Sequence, residues 1–170
     1  MKRLLVPILI GISAASIAQV TPFNINVGYG WSNTFDLKTG GSGRLQGIEL
    51  GASQSIVKLP VLGEARVGGS LLLAGTMGGG GVKGTGYRVY AWYKTPYAGP
   101  KGVYGLGGLS YSGANGSDFD SVSGIGFDFG LGIPLSSSLP GVPSPSLELM
   151  YHQGSHAQTR GFSVSVSVKF

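Results

Sequence analysis

The chain contains no cysteine, so neither a disulfide framework nor a thiolate metal site is open to it. Charge is scarce as well: Asp, Glu, Lys and Arg make up only 11% of its 170 residues. Low charge with abundant glycine suits a disordered chain, but 42% hydrophobic residues and regularly spaced aromatics exclude that. The formal net charge is +5. Lys2 and Arg3 fall in a leader expected to be removed, which leaves roughly +3, too weak and scattered for a nucleic-acid surface. Beyond residue 18 no stretch is apolar enough for a membrane helix, so membrane residence would have to use strands. The length bounds one domain.

Residues 1–18 read as a secretory signal peptide. Lys2 and Arg3 form its charged start, Leu4 to Ile12 its apolar stretch, and Ser16-Ile17-Ala18 supplies small residues where a signal peptidase reads. The apolar stretch falls short of the about 20 residues a spanning helix needs. The mature domain is expected to cover 19–170.

What the chain has in quantity is alternation. From Phe162 to Phe170 the apolar residues Phe162, Val164, Val166, Val168 and Phe170 take every second place, with Ser163, Ser165, Ser167 and Lys169 between them. Side chains on a strand alternate faces, so one face is apolar and the other polar. The same pattern predicts strands over Phe23–Ser32, Gly43–Ser53, Glu64–Ala74, Thr85–Thr95, Lys101–Ser112, Val122–Ile133 and Ser144–Gln153. Between them lie polar, glycine-rich or proline-bounded segments: Asn33–Ser42, Gln54–Gly63, Gly75–Gly84, Pro96–Pro100, Gly113–Ser121, Pro134–Pro143 and Gly154–Thr159. Leu59-Pro60 is expected to break the ladder, which makes Gln54–Gly63 a connection.

About eight strands of roughly ten residues match what a tilted strand needs to cross a bilayer. An even count puts both strand termini on one side. With odd strands running up, Phe23, Tyr93 and Phe170 lie near the lower edge, and Trp31, Tyr87, Tyr111, Tyr151 and Phe162 near the upper. Val27, Val89, Ala91, Val164 and Val166 lie between. Aromatics at both edges with aliphatics between is the girdle pattern of a membrane barrel. The sixth predicted strand departs, because Phe127 and Phe129 fall near mid-depth. The rival at the level of fold is a soluble secreted β-barrel such as a lipocalin-like carrier.

With its leader, alternating strands and closing Phe162–Phe170 run, the chain resembles the small outer-membrane β-barrel family, the OmpA/OmpX-like eight-stranded barrels. The resemblance implies an all-β, closed antiparallel eight-stranded up-and-down transmembrane barrel in the bacterial outer membrane, a monomer surrounded by lipid. It also implies that the terminal aromatic, with the alternate apolar residues before it, is read by the barrel-assembly machinery. The resemblance is to the barrel alone, so the peptidoglycan-anchoring role of the larger relatives is not among the expectations.

An eight-stranded interior is only wide enough for side chains. The inward positions include Glu49, Asp128 and Glu148 near mid-depth, Arg66 and Lys94 lower, and Arg88 higher, with Tyr90, Trp92 and Tyr104 filling space beside many glycines. Charges in so narrow a space must pair or bind water. The expectation is a carboxylate–arginine network plugging the lumen; a switchable gate made by exchange of its salt bridges is the functional alternative.

Catalytic and metal signals are sparse. Glu148 and His152 share a face, but strand rise separates them by roughly 13 Å, too far for a direct relay, and Ser155 lies in the loop beyond. His156 reads as a loop residue. Asp118-Phe119-Asp120 lacks the later ligands of a calcium loop. Gly28-Tyr29-Gly30 and Gly105-Leu106-Gly107-Gly108 open no helix, so a phosphate cradle has no support. No enzyme, cofactor or metal is therefore expected. The role implied is envelope stabilisation or contact with an extracellular partner through the loops, with a small or gated pore as the alternative and a lipid-modifying enzyme behind both.

Overall fold

The structure is a computed structural model that describes residues 23–59, 61–75, 82–99, 102–135 and 144–170. Residues 1–18 therefore lie outside the described residues, as do residues 76–81 of the third predicted loop and 136–143 of the Pro134–Pro143 connection. The strands are β1 Phe23–Ser32, β2 Phe35–Asp36, β3 Ser42–Gly43, β4 Gln46–Leu59, β5 Gly63–Ala74, β6 Gly84–Lys94, β7 Tyr104–Gly116, β8 Val122–Pro134, β9 Ser146–Gln153 and β10 Gly161–Lys169.

Eight of these close on themselves in the order β1-β10-β9-β8-β7-β6-β5-β4, every neighbour antiparallel, which is an up-and-down barrel. Closure leaves no sheet edge along the body of the barrel, the condition for strands to stand in lipid. Phe170 completes it: its N–H donates to Phe23 O at 2.8 Å, and Phe23 N–H donates back to Phe170 O at 3.2 Å. Following ladder partners from Ser32 through Gly161, His152, Asp128, Gly108, Trp92, Arg66 and Ser55 arrives just beyond Phe23. This stagger of about ten residues tilts the strands.

β4 starts at Gln46 and not Gly43, β7 at Tyr104 and not Lys101, and three of the expected connections differ in kind. Gln54–Gly63 is not a connection. The ladder runs to Leu59, which pairs with Gly63, after a bulge between Ser55 and Val57. The bulge supplies the physical reason, because one extra residue shifts the alternation and makes two adjacent apolar residues compatible with pairing. Gly113–Ser121 is not all loop either, since β7 pairs through Gly116 with Gly84. Asn33–Ser42 holds a small hairpin, β2 with β3, and beneath it Leu45 is fully buried. Phe35, Leu45, Ala74, Val82, Ala114 and Phe119 form an apolar cluster there, over the upper end of the lumen. The segments Asn33–Ser42 and Gly113–Ser121 meet at this cap. Lys38 N–H donates to Asp118 O at 2.9 Å, and Lys38 Nζ lies 3.0 Å from Asp120 Oδ1 at the surface.

Candidate functional site

The polar residues of the lumen form two tiers. In the upper tier Arg88 Nη1 lies 3.1 Å from Glu49 Oε1, and Arg88 Nε lies 3.9 Å from Asp128 Oδ1. Ser70 Oγ donates to Glu49 at 2.6 Å and Trp92 Nε1 donates to Asp128 Oδ2 at 2.9 Å. In the lower tier Arg66 joins Glu64 at 2.6 Å and Glu148 at 3.5 Å. Tyr104 OH donates to Glu148 at 2.8 Å, and Ser55 Oγ donates to Glu64. Lys94 Nζ stands 3.7 Å from the centre of the Tyr104 ring and donates to Tyr97 OH at 3.3 Å.

Register and glycine explain how these groups meet. Trp92, Gly108 and Asp128 fall on one row across β6, β7 and β8, and Tyr104, Gly132 and Glu148 on one row across β7, β8 and β9. In each row the middle strand offers no side chain, so the aromatic reaches over it to the carboxylate. A Cβ on Gly132 would stand 2.1 Å from Tyr104 Cζ, and the ring has nowhere to go. Gly132→Ala is expected to cost about 1–3 kcal/mol through overpacking, read from equilibrium unfolding in lipid.

Of the six lumen residues expected from sequence, the structure places Glu49, Arg88 and Asp128 in the upper tier and Arg66 and Glu148 in the lower, with Lys94 beside the lower tier against the rings of Tyr97 and Tyr104. Sequence reasoning missed Glu64, at the lower end of an inward face, and gave no partners to His152. His152 is buried in the upper tier, with Nδ1 2.9 Å from Asp128 Oδ1 and Nε2 2.9 Å from Ser163 Oγ. The acid and hydroxyl come from the adjacent strands and not from the Glu148 and Ser155 considered along the sequence. Strand pairing, invisible in a linear scan, brings them together.

The chain Asp128–His152–Ser163 has the connectivity of a nucleophile relay. Its surroundings do not suit one. With Nδ1–H given to Asp128, Nε2 has a single lone pair, and Arg88 Nη1 stands 3.2 Å from it in competition with Ser163. Ser163 is itself buried against the barrel wall. His156 sits in the last loop beside the 3-10 turn Ala157–Thr159, its carbonyl accepting from Thr159 Oγ1 at 3.0 Å.

The outer face is apolar. Phe23, Tyr87, Tyr93, Tyr111, Phe162 and Phe170 are exposed there, and Trp31 and Tyr151 part-exposed. Phe23 stacks on Phe170 at 5.4 Å between ring centres. Trp31, Phe162, Tyr151 and Phe129 are neighbours in register across β1, β10, β9 and β8, with ring centres 4.7–5.9 Å apart. Phe129, anomalous by strand position, is the end of an aromatic row that slants with the stagger. Phe162, Val164, Val166, Val168 and Phe170 share the outer face of the closing strand and its end.

A closed barrel, apolar outside and filled with paired charges inside, defines a class of membrane proteins whose strands cross the bilayer. The chain belongs to the outer membrane protein beta-barrel domain family, whose model matches residues 4–170. Among solved structures it is similar to Neisserial surface protein A (NspA), with 15% identity over 87% of this chain and 94% of that one and a TM-score of 0.54. It is also similar to Ail, the attachment invasion locus protein of Yersinia pestis, solved with the heparin analogue sucrose octasulfate. There the identity is 14% over 88% of this chain and 99% of that one, with a TM-score of 0.48. At 15% identity the likeness to NspA shows the fold alone. No curated protein matches the chain.

Proposed function

We propose that this protein is a closed scaffold of the bacterial outer membrane, one that stabilises the envelope or presents its outer loops to a partner, and not a channel. The observation that carries this reading is the filling of the lumen. Two ionic tiers and an apolar cap occupy it, and two cavities beside the upper tier measure about 30 and 20 Å³, room for one or two water molecules each. The smaller one is bordered by Tyr90 and Asn26, whose Tyr90 OH and Asn26 Oδ1 make no direct hydrogen bond. Docking of Asn33–Ser42 against Gly113–Ser121 over the cap supports a fixed presented surface. Conductance in a planar bilayer tests it: refolded protein with insertion confirmed should stay electrically silent. Discrete openings, altered by Glu49→Ala, would replace this reading with a gated pore.

The leader over 1–18 is removed on export in this reading, and the end of β10 is recognised by the assembly machinery. Deleting Phe170 would leave Phe23 N–H and C=O without their partners and remove the stacked ring. The expected outcome in cells is loss of most inserted protein, scored as heat-modifiable barrel in the membrane fraction. Normal insertion would count against the role of that residue.

A further inference from the structure

We infer that the tip of the β4–β5 hairpin is a membrane foot, a segment seated in the interfacial layer of the phospholipid at the barrel's lower rim. Here the chain carries a dense apolar surface: Ile56, Val57, Leu59, Val61 and Leu62 are all exposed, Val61 at 83%. Leu62 N–H donates to Leu59 O at 3.1 Å, so the chain reverses directly into β5 and the tip stays short.

The bulge between Ser55 and Val57 decides which side chains this tip presents. Uninterrupted alternation from Ser55 inward would turn Lys58 toward the outer face and Val57 and Leu59 toward the lumen. With the bulge, Val57 pairs with Ala65 and Leu59 with Gly63 on the outer side, while Lys58 stands opposite Glu64 at the mouth of the lumen. One inserted residue thus removes a cation from the outer face and adds two aliphatics, below the outward column of Ile48, Leu50, Ala52 and Gln54. Tyr93 flanks Val57 through Ala65.

Depth is set by the rim. The tip continues past the pair Phe23–Gln54, and the stacked Phe23 and Phe170 rings stand where barrel aromatics meet the headgroup layer. The foot therefore lies at the headgroup–acyl boundary, its side chains dipping toward the chains, and exposed apolar surface this dense would otherwise face water.

This inference rests on the barrel standing in a membrane, and the test separates the two. The chain has no cysteine, so Val61→Cys, Leu62→Cys and Val166→Cys each give a single thiol for an environment-sensitive fluorophore. Each labelled full chain is refolded into phosphatidylcholine–phosphatidylglycerol vesicles. Labels at 61 and 62 should emit to the blue of their emission in urea, resist iodide, and be quenched by lipids carrying a nitroxide near the headgroup. Water-like emission open to iodide at 61 and 62, with position 166 in lipid, would overturn the foot alone and leave the tip free for a protein partner or second copy. Water-like emission at all three would overturn the membrane barrel with it.

Discussion

Asp128→Ala should lower the free energy of unfolding by about 3–5 kcal/mol, the range found when one partner of a buried ion pair is removed. The carboxylate joins three elements of the upper tier: it accepts from Trp92 Nε1, faces His152 Nδ1, and lies within ion-pair distance of Arg88. Truncation leaves an indole N–H and an imidazole N–H without acceptors, and leaves Arg88 dependent on Glu49. Little water can replace what is lost unless the lumen opens, because the two neighbouring cavities have room for no more than a molecule or two each. Urea titration of the protein in lipid vesicles measures the loss, with tryptophan fluorescence as the signal, and Trp92 reports directly on the site. Asp128→Asn keeps an acceptor for Trp92 and should fall between wild type and alanine. A loss below about 1 kcal/mol for alanine would mean that the tier is hydrated and that the packed-lumen argument fails.

The fold was legible because a barrel writes itself in period two. Phe162 to Phe170 gave the outer and inner faces of the closing strand without help from any neighbour, and similar runs gave the others. The lumen residues followed, since a charge on the polar face of a small barrel has nowhere else to go. Partnership is a different matter. Whether Tyr104 reaches Glu148 or His152 depends on register between strands, and register depends on stagger, which alternation does not reveal. Hence Asp128, His152 and Ser163 could be placed on the inner face but not joined. The cap was hidden for a further reason. Phe119 lies between Asp118 and Asp120 in a segment that is polar by composition, and Phe35 lies in another. Each ring finds its apolar surroundings only when two loops fold over the barrel mouth.

Val166→Arg tests the outer face as Asp128→Ala tests the inner. Val166 is exposed on β10 between Val27 of β1 and Leu147 of β9, in the aliphatic stretch between Phe162 and Phe170. Its side chain is 40% exposed, so exchanging it sacrifices only part of a residue's packing. The guanidinium, however, would have to leave water for hydrocarbon, which at the midplane of a barrel costs about 2–4 kcal/mol. Toward an interface the side chain snorkels and the penalty falls to about 0–1 kcal/mol. Val168→Arg, one outward step closer to the Phe23–Phe170 pair, should therefore cost less than Val166→Arg, and the difference is the measurement. A soluble barrel gives no such gradient, since both arginines would lie in water and both substitutions would be near neutral. Unfolding titrations of the two variants in vesicles thus distinguish lipid from solvent by slope along a single strand, independent of any change in folding efficiency common to both.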